Sequence, residues 1–389
     1  MLLKPETRQM FVDTDFEAKA CSKLKNDSRD DEFLVSRIIF LTTYGTNIDL
    51  AKLIDQHGLA DTISMNLGRH VKLLSTGKTK ADPMESMALV ETLKLLFNVT
   101  RFCEGHVSSF VSAVPHLVAL LVKNDVQNTR TPLDPPLGPI INALLNLPLD
   151  DKDIQASFFP KDEPQSVVMR LIDLLDLALK SYSESELEQT TTPLVCVISI
   201  AYEHAPSDVR QSIRTGLLPT EEERQNVLGE GNTLAARLLR NSTNPLAPEL
   251  RNAISHLFFD ISDKDASKFV KNVGYGFASG FLFQNQIPIP EAASEAFNAG
   301  SSEGPERPVN PVTGQFLDAE SVSDLPEMTD EEKEREAEKL FVLFERLKQT
   351  GVMDVQNPVE KAFHEGRFEE LPDDYEEEED DDDDSIKKS

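Results

Sequence analysis

From Asp82 to Phe102 the chain spells out one helix. Asp82 can cap the first free amides, Pro83 suits the first helical position, and Glu85 stands three residues after the cap. Leu89, Leu93, Leu96 and Phe97 follow at i, i+4, i+7 and i+8, one face of a 3.6-residue period. Such a face must be covered by other apolar elements. Burying its four large side chains contributes roughly 6–12 kcal/mol gross, at about 1.5–3 kcal/mol each, before chain entropy is subtracted. Near its end stands Phe97-Asn98-Val99-Thr100, which places an amide where a buried helix is expected to stop.

The same period recurs along most of the chain. Residues 1–80 read as helical, with Met10, Phe11, Val12, Phe16 and Ala20 early, then Phe33, Leu34, Ile38, Ile39 and Leu41 on a helix ending near Tyr44-Gly45. Asp49 opens another, carrying Leu50, Leu53 and Ile54. Val107, Phe110, Val111 and Val114 form a short stripe; Pro115 interrupts it, and Leu117, Val118 and Leu121 continue beyond. Residues 129–139 are a proline-rich loop. Ile140, Ile141, Leu144 and Leu145 return to helix. Val167, Leu171, Leu174, Leu175 and Ala178 make a strong stripe, and Leu194, Val197, Ile198 and Ala201 make another, expected to start after Pro193. Leu234, Leu238 and Leu239 come next, and Pro248 starts a helix with Leu250, Ile254, Leu257 and Phe258. No segment alternates with period two, so no sheet is expected.

The expected class is all-α, and a weak internal repeat narrows it. Asn98, Asn146 and Asn241 each follow a Leu-Leu pair directly or one residue later, at separations of 48 and 95 residues. That is about one and two units of the ~40–47-residue period of armadillo and HEAT arrays. Stacked helical repeats bury a continuous core and leave one face free for a guest. Asparagines at helix ends have two readings, contacts to a guest backbone or C-terminal caps, and spacing does not separate them.

With 389 residues the chain is long enough for two or three domains or one repeat array. Its formal net charge is −29. Eleven acids lie in one tail, Asp373, Asp374, Glu376 to Glu379 and Asp380 to Asp384, and −18 remains without them. Nucleic-acid backbones and anionic membranes would be repelled, so no nucleic-acid partner and no membrane insertion are expected. No apolar run reads as a bilayer span, and Met1-Leu2-Leu3-Lys4-Pro5 lacks a signal-peptide core. A monomeric, cytoplasmic protein is expected, with the cell cortex as a second location. Three scattered cysteines, Cys21, Cys103 and Cys196, fit neither a disulfide framework nor metal-ligand spacing.

The chain divides into an array over 1–284, a flexible linker over 285–328, an amphipathic helix over 329–350 and a disordered acidic tail over 351–389. The late helix opens on Thr329-Asp330-Glu331-Glu332, a capping box with acids in its first turn. Leu340, Phe341, Phe344 and Leu347 line one face, which either returns to the array or docks on a partner.

No enzyme signature emerges. Gly77-Lys78-Thr79 resembles the end of a phosphate loop, but Lys72 stands where a glycine is required and no strand precedes it. There is no GxSxG, no HExxH and no paired-cysteine motif. The seven histidines sit at unrelated spacings, so no metal site and no cofactor are expected, and a binding protein fits better than an enzyme.

Several stretches coincide with the synembryn family, also called resistance to inhibitors of cholinesterase. They are Arg37-Ile-Ile-Phe40-Leu, Glu91-Thr-Leu-Lys-Leu-Leu-Phe-Asn-Val-Thr100, Ile141-Asn-Ala-Leu-Leu-Asn-Leu-Pro-Leu149, Phe269-Val-Lys-Asn-Val-Gly-Tyr-Gly276, Val309-Asn-Pro-Val-Thr-Gly314 and Met328-Thr-Asp-Glu-Glu-Lys-Glu-Arg-Glu-Ala-Glu-Lys-Leu340. They fall in family order. Asn-Pro-Val-Thr-Gly together with the Met-Thr-Asp-Glu-Glu helix is the most specific combination.

The resemblance implies an armadillo/HEAT-like superhelix that binds heterotrimeric G-protein α subunits, preferentially nucleotide-free, as a non-catalytic guanine-nucleotide exchange factor and folding chaperone. Carried over by position, Arg37, Phe40, Phe97, Asn98, Asn142 and Asn146 are candidates for the groove that takes the α subunit's C-terminal helix. Leu340, Phe341 and Phe344 are candidates for a second contact. The chain resembles a fungal-like or N-terminally shortened member, starting inside the family's array. Ser294, Ser301 and Ser302 occupy the region where family members carry a phosphorylated acidic segment. The rival reading is a helical-repeat adaptor without exchange activity.

Overall fold

The computed structural model describes residues 4–76, 82–149, 151–288, 309–310 and 312–319. In chain order the helices are α1 (Pro5–Val12), α2 (Glu17–Leu24), α3 (Arg29–Thr42), α4 (Leu50–Asp55), α5 (Leu59–Ser75), α6 (Pro83–Phe102), α7 (Val114–Lys123) and α8 (Leu137–Leu145). There follow α9 (Lys152–Phe158), α10 (Ser166–Ser181), α11 (Glu184–His204), α12 (Ser207–Leu217), α13 (Leu234–Asn241), α14 (Pro248–Ile261), α15 (Ala266–Val273) and α16 (Tyr275–Gln284). A 3₁₀ segment, Glu104–Ala113, links α6 to α7. No strand occurs among the described residues.

The helices stack in two ladders. In one, α3 packs on α6, α6 on α8, α8 on α11 and α11 on α14. In the other, α5 packs on α7, α7 on α10, and α10 on α12 and α13. Rungs α5–α6, α7–α8, α10–α11 and α13–α14 tie the ladders together. Each rung is a helix pair that cannot bury its stripe alone, and neighbours complete the burial. Leu93, Leu96, Leu117, Leu144, Leu171, Leu174, Ile198, Leu238 and Ile254 are all fully buried, and one apolar cluster runs from Ala20 to Leu282. This is the all-α repeat array that the periodicity predicts.

Local chemistry sets the helix starts. Asp82 Oδ1 accepts the Met84 amide at 2.9 Å, with Pro83 in the first turn. The expected back-bond from Glu85 does not form; that carboxylate accepts from Arg69 Nη1 at 2.7 Å, because α5 brings a cation within reach. Asp49, Thr233 and Asp265 cap α4, α13 and α15 by accepting the amide three residues on. Helix α11 begins at Glu184, nine residues before Pro193, on the Ser183–Glu186 capping box, and carries Pro193 inside it. Burial of Leu187 and Thr191 outweighs the amide bond that proline cannot make.

The stretch Glu104–Lys123 has the length and hydropathy of a membrane span, contrary to the sequence reading. It is broken at Ala113 into the 3₁₀ segment and α7, and Phe110, Val114, Leu117 and Leu121 are buried in the core.

Within the stretch read as a flexible linker, residues 309–310 and 312–319 form a strap folded against the end of the array. The amide of Gly276 donates to the Val312 carbonyl at 3.0 Å, and that of Phe316 to the Arg224 carbonyl at 2.9 Å. Arg224 fastens it, donating from Nη1 to the Gly314 carbonyl and from Nη2 to the Asn272 carbonyl, both at 2.7 Å. Asn310 Oδ1 accepts the Val312 amide at 2.8 Å and folds the turn. Gly314 has φ +74°, and a Cβ there would lie 2.5 Å from Leu228 Cδ1. The Asn-Pro-Val-Thr-Gly motif is therefore a structural fastening.

Candidate functional site

The ends of α3 and α6 carry a cationic and aromatic face, with Asn142 and Asn146 of α8 beside it. On α3, Arg37 and Phe40 stand three residues apart, and Tyr44, just past its end, continues the same face at i+7. On α6, Lys94, Phe97 and Arg101 repeat at i, i+3 and i+7. Because α3 lies along α6, the two rows meet.

Three rings link edge to face: Phe40–Tyr44 at 5.4 Å and 87°, Tyr44–Phe102 at 6.0 Å and 84°. Tyr44 is 40% exposed and Phe102 54%. Lys94 Nζ lies 5.9 Å from the centre of the Phe40 ring, within cation–π range. Arg37 Nη1 and Lys94 Nζ both donate to Glu91 Oε1, at 3.1 and 3.0 Å. Glu91 is buried, and its Oε2 has no hydrogen-bond partner. Two cations over one carboxylate leave this spot net positive on an acidic protein.

The predicted residues divide by role. Arg37 is exposed, and Phe40 and Phe97 are half-buried. Asn98 is neither a C-terminal cap nor exposed: it sits inside α6, 2% accessible. Its Nδ2 donates to Thr43 Oγ1 at 2.7 Å and its Oδ1 accepts from the Tyr44 hydroxyl at 3.2 Å. It ties α6 to the end of α3 and steadies Tyr44. Asn146 does cap α8, and its Nδ2 donates to the Phe97 carbonyl at 3.1 Å and to Thr100 Oγ1 at 3.3 Å. Asn142, one turn earlier on α8, is half-buried. Asn241 is unrelated to this face: it ends α13 on the other ladder, and its Nδ2 donates to the Arg237 carbonyl at 2.9 Å. Leu340, Phe341, Phe344 and the serines 294, 301 and 302 lie outside the described residues.

Beside Asn146 a notch of about 300 Å³ opens between α6, the 3₁₀ segment and α8, lined by Thr100, Arg101, Glu104, Val107, Asn146 and Pro148. A larger cavity of about 440 Å³, bordered by Leu218, Leu228 and Leu239, takes in none of the predicted residues. Sequence reasoning missed Tyr44, Lys94 and Glu91 and left Arg101 and Phe102 unplaced. The signal for Tyr44 was present, since it lies four residues after Phe40.

A buried ionic cluster holds α3, α5 and α6 in register beneath the face. Glu32 Oε1 accepts from Thr92 Oγ1 at 2.7 Å and meets His70 Nε2 at 3.0 Å, and its other oxygen pairs with Arg69. Burial alone would push the Glu32 carboxyl up; the hydrogen bonds and charge of His70, with Thr92 and Arg69, outweigh it and hold it below the usual carboxylate range. Among the described residues no group of three or more His, Cys, Asp or Glu side chains is disposed to hold a metal ion.

Residues 1–367 match the family model described as guanine nucleotide exchange factor synembryn. A synembryn-like chaperone of Schizosaccharomyces pombe is 25% identical over 385 residues, covering 93% of this chain and 71% of that protein. The chaperone Ric-8A of Macaca fascicularis is 27% identical over 352 residues, covering 83% of this chain and 64% of its own length. Ric-8A of Xenopus tropicalis is 26% identical over 367 residues, covering 85% and 66%. The chain thus spans about two thirds of the length of these Ric-8A relatives. With that match over nearly its whole length, this helical array belongs to the Ric8 (synembryn) family of guanine nucleotide exchange factors.

Proposed function

We propose that the protein binds heterotrimeric G-protein α subunits and serves them as a non-catalytic exchange factor and folding chaperone, acting as a cytoplasmic monomer. The α3–α6–α8 face takes the α subunit's C-terminal helix. The observation that carries this reading is the row of half-buried Phe40 and exposed Tyr44 and Phe102, flanked by Arg37 and Lys94, on a Ric8-family array. Rings suit the apolar stripe of a helix, and the cations suit its acidic side chains or terminal carboxylate. Leu340, Phe341 and Phe344 make the second contact, on the nucleotide-binding domain.

No acid or base is needed for exchange. Holding the C-terminal helix apart from the nucleotide domain favours the nucleotide-free state. Linkage makes the effect reciprocal: nucleotide weakens this protein's binding by the factor with which this protein weakens nucleotide. The test is GDP release from a purified α subunit with and without the protein. Faster release, and dissociation of the complex by GTP with magnesium, are expected. Unchanged release, with binding indifferent to nucleotide, would instead identify an adaptor.

A further inference from the structure

Three side chains outside the proposed guest surface form a nucleophile–base–orienter chain. Cys103, the residue that closes α6, places Sγ 3.3 Å from His106 Nδ1. His106 Nε2 lies 3.1 Å from Asp55 Oδ2, at the end of α4. Cys103 and His106 share the first turn of the 3₁₀ segment, and Asp55 reaches them from the end of α4. In the neutral imidazole, a proton on Nε2 facing the carboxylate leaves the Nδ1 lone pair to accept from the thiol. This is the arrangement that activates nucleophiles in unrelated folds. Reagent can reach it: Cys103 is half-buried, and the His106 and Asp55 side chains are 32% and 59% exposed. Cys21 is 1% exposed, and among the described residues Cys196 has no histidine within hydrogen-bond distance.

We infer that Cys103 is a site of S-alkylation by α,β-unsaturated carbonyl compounds, with His106 as base and Asp55 as the residue that positions it. Burial, and then the carboxylates of Asp55 and Asp49, push the thiol up. Its resting form is S–H, and a base must take the proton during reaction. The proton passes from Sγ to Nδ1. The sulfur pair then forms an S–C bond to the β-carbon, the C=C π pair moves to the α-carbon, and that carbon takes the proton back from the imidazolium. Nothing leaves and no oxidant is consumed. Because Cys103 directly follows Phe102, an adduct would sit at the edge of the aromatic row.

The test uses acrylamide on the intact chain, with adducts at each cysteine followed by peptide mass spectrometry, and needs no partner. Cys103 is expected to react at least about tenfold faster than Cys196 at pH 7, and His106→Ala to remove at least about tenfold of that rate while sparing Cys196. In His106→Ala the Cys103 rate should climb about tenfold per pH unit from 6 to 8, as thiol ionisation alone dictates; in the wild type the slope should be shallower. The near-isosteric Asp55→Asn should fall between the two, which keeps the test available should His106→Ala fold poorly. Equal rates at Cys103 and Cys196, or a pH slope the variants leave unchanged, would overturn the assignment.

Discussion

Replacing Asn98 by alanine tests whether the array holds its own guest surface in place. The change removes two hydrogen bonds between α6 and the end of α3, to Thr43 at 2.7 Å and from Tyr44 at 3.2 Å. At about 0.5–1.5 kcal/mol net each, the pair is worth roughly 1–3 kcal/mol. Thr43 Oγ1 still donates to the Phe40 carbonyl at 2.7 Å, and Tyr44 is 40% exposed, so both former partners can turn to water. That favours the lower half of the range, about 1–2 kcal/mol. At roughly 2–4 °C per kcal/mol for a domain of this size, the midpoint of thermal unfolding should fall by about 2–8 °C. Tyr44 also loses its anchor between Phe40 and Phe102, so affinity for a peptide carrying the α subunit's C-terminal helix should fall as well. Thermal unfolding by circular dichroism and a peptide titration read the two effects separately. A midpoint within about 1 °C of wild type with affinity abolished would refute the reasoning, because it would make Asn98 a direct contact of the guest and not a tie between helices.

Phe102→Ala should behave in the opposite sense: the ring is 54% exposed, so the unfolding midpoint should stay within about 1 °C while peptide affinity drops about tenfold or more, measured in the same titration. Gly314→Ala puts a Cβ against Leu228 at a positive φ and should cost about 1–3 kcal/mol of strap docking, seen as faster limited proteolysis near residue 310 with the unfolding of α6 unaffected. The Glu32 carboxyl lies below its ordinary range in the folded protein, so the stability it contributes is full above the unfolded carboxylate range, near pH 4.3, and is lost as pH falls through the folded value. Glu32→Gln should flatten that acid limb of the stability–pH curve in urea titrations, and an unchanged limb would show that Glu32 is not linked to it.

Where a feature depended on near neighbours, it was legible before any tertiary contact was known. Asp82 and Pro83 start α6 because a carboxylate reaches an amide two residues away. The stripe of α10 is buried as spaced, Val167, Leu171, Leu174, Leu175 and Ala178 being at most 1% exposed. Pro193 misled because local hydrogen bonding argues for a boundary there, whereas burial along α11 overrides one missing bond. Glu85 misled for the converse reason, since a cation from α5 competes for the carboxylate that a capping box would use.

The candidate site shows the same division. The family resemblance pointed to Arg37, Phe40, Phe97, Asn98, Asn142 and Asn146. Periodicity could not tell that Asn98 faces inward to α3, that Asn146 reaches back to the Phe97 carbonyl, or that Asn241 belongs to the other ladder. By itself the sequence determined the all-α class, the repeat-like spacing and most of the core from α6 onward, because helical period and capping act within one or two turns; the early stripes misled at Met10, Phe11 and Leu34, which are 66%, 38% and 53% exposed. The stacking of the ladders decided which side of each helix became surface. Tyr44 meets Asn98 across 54 residues, Phe316 meets Arg224 through its amide, and Cys103 shares a histidine with Asp55, 51 residues from it. Each of those contacts depends on the register between whole helices, which is set by many packed side chains at once and by no single stretch of chain.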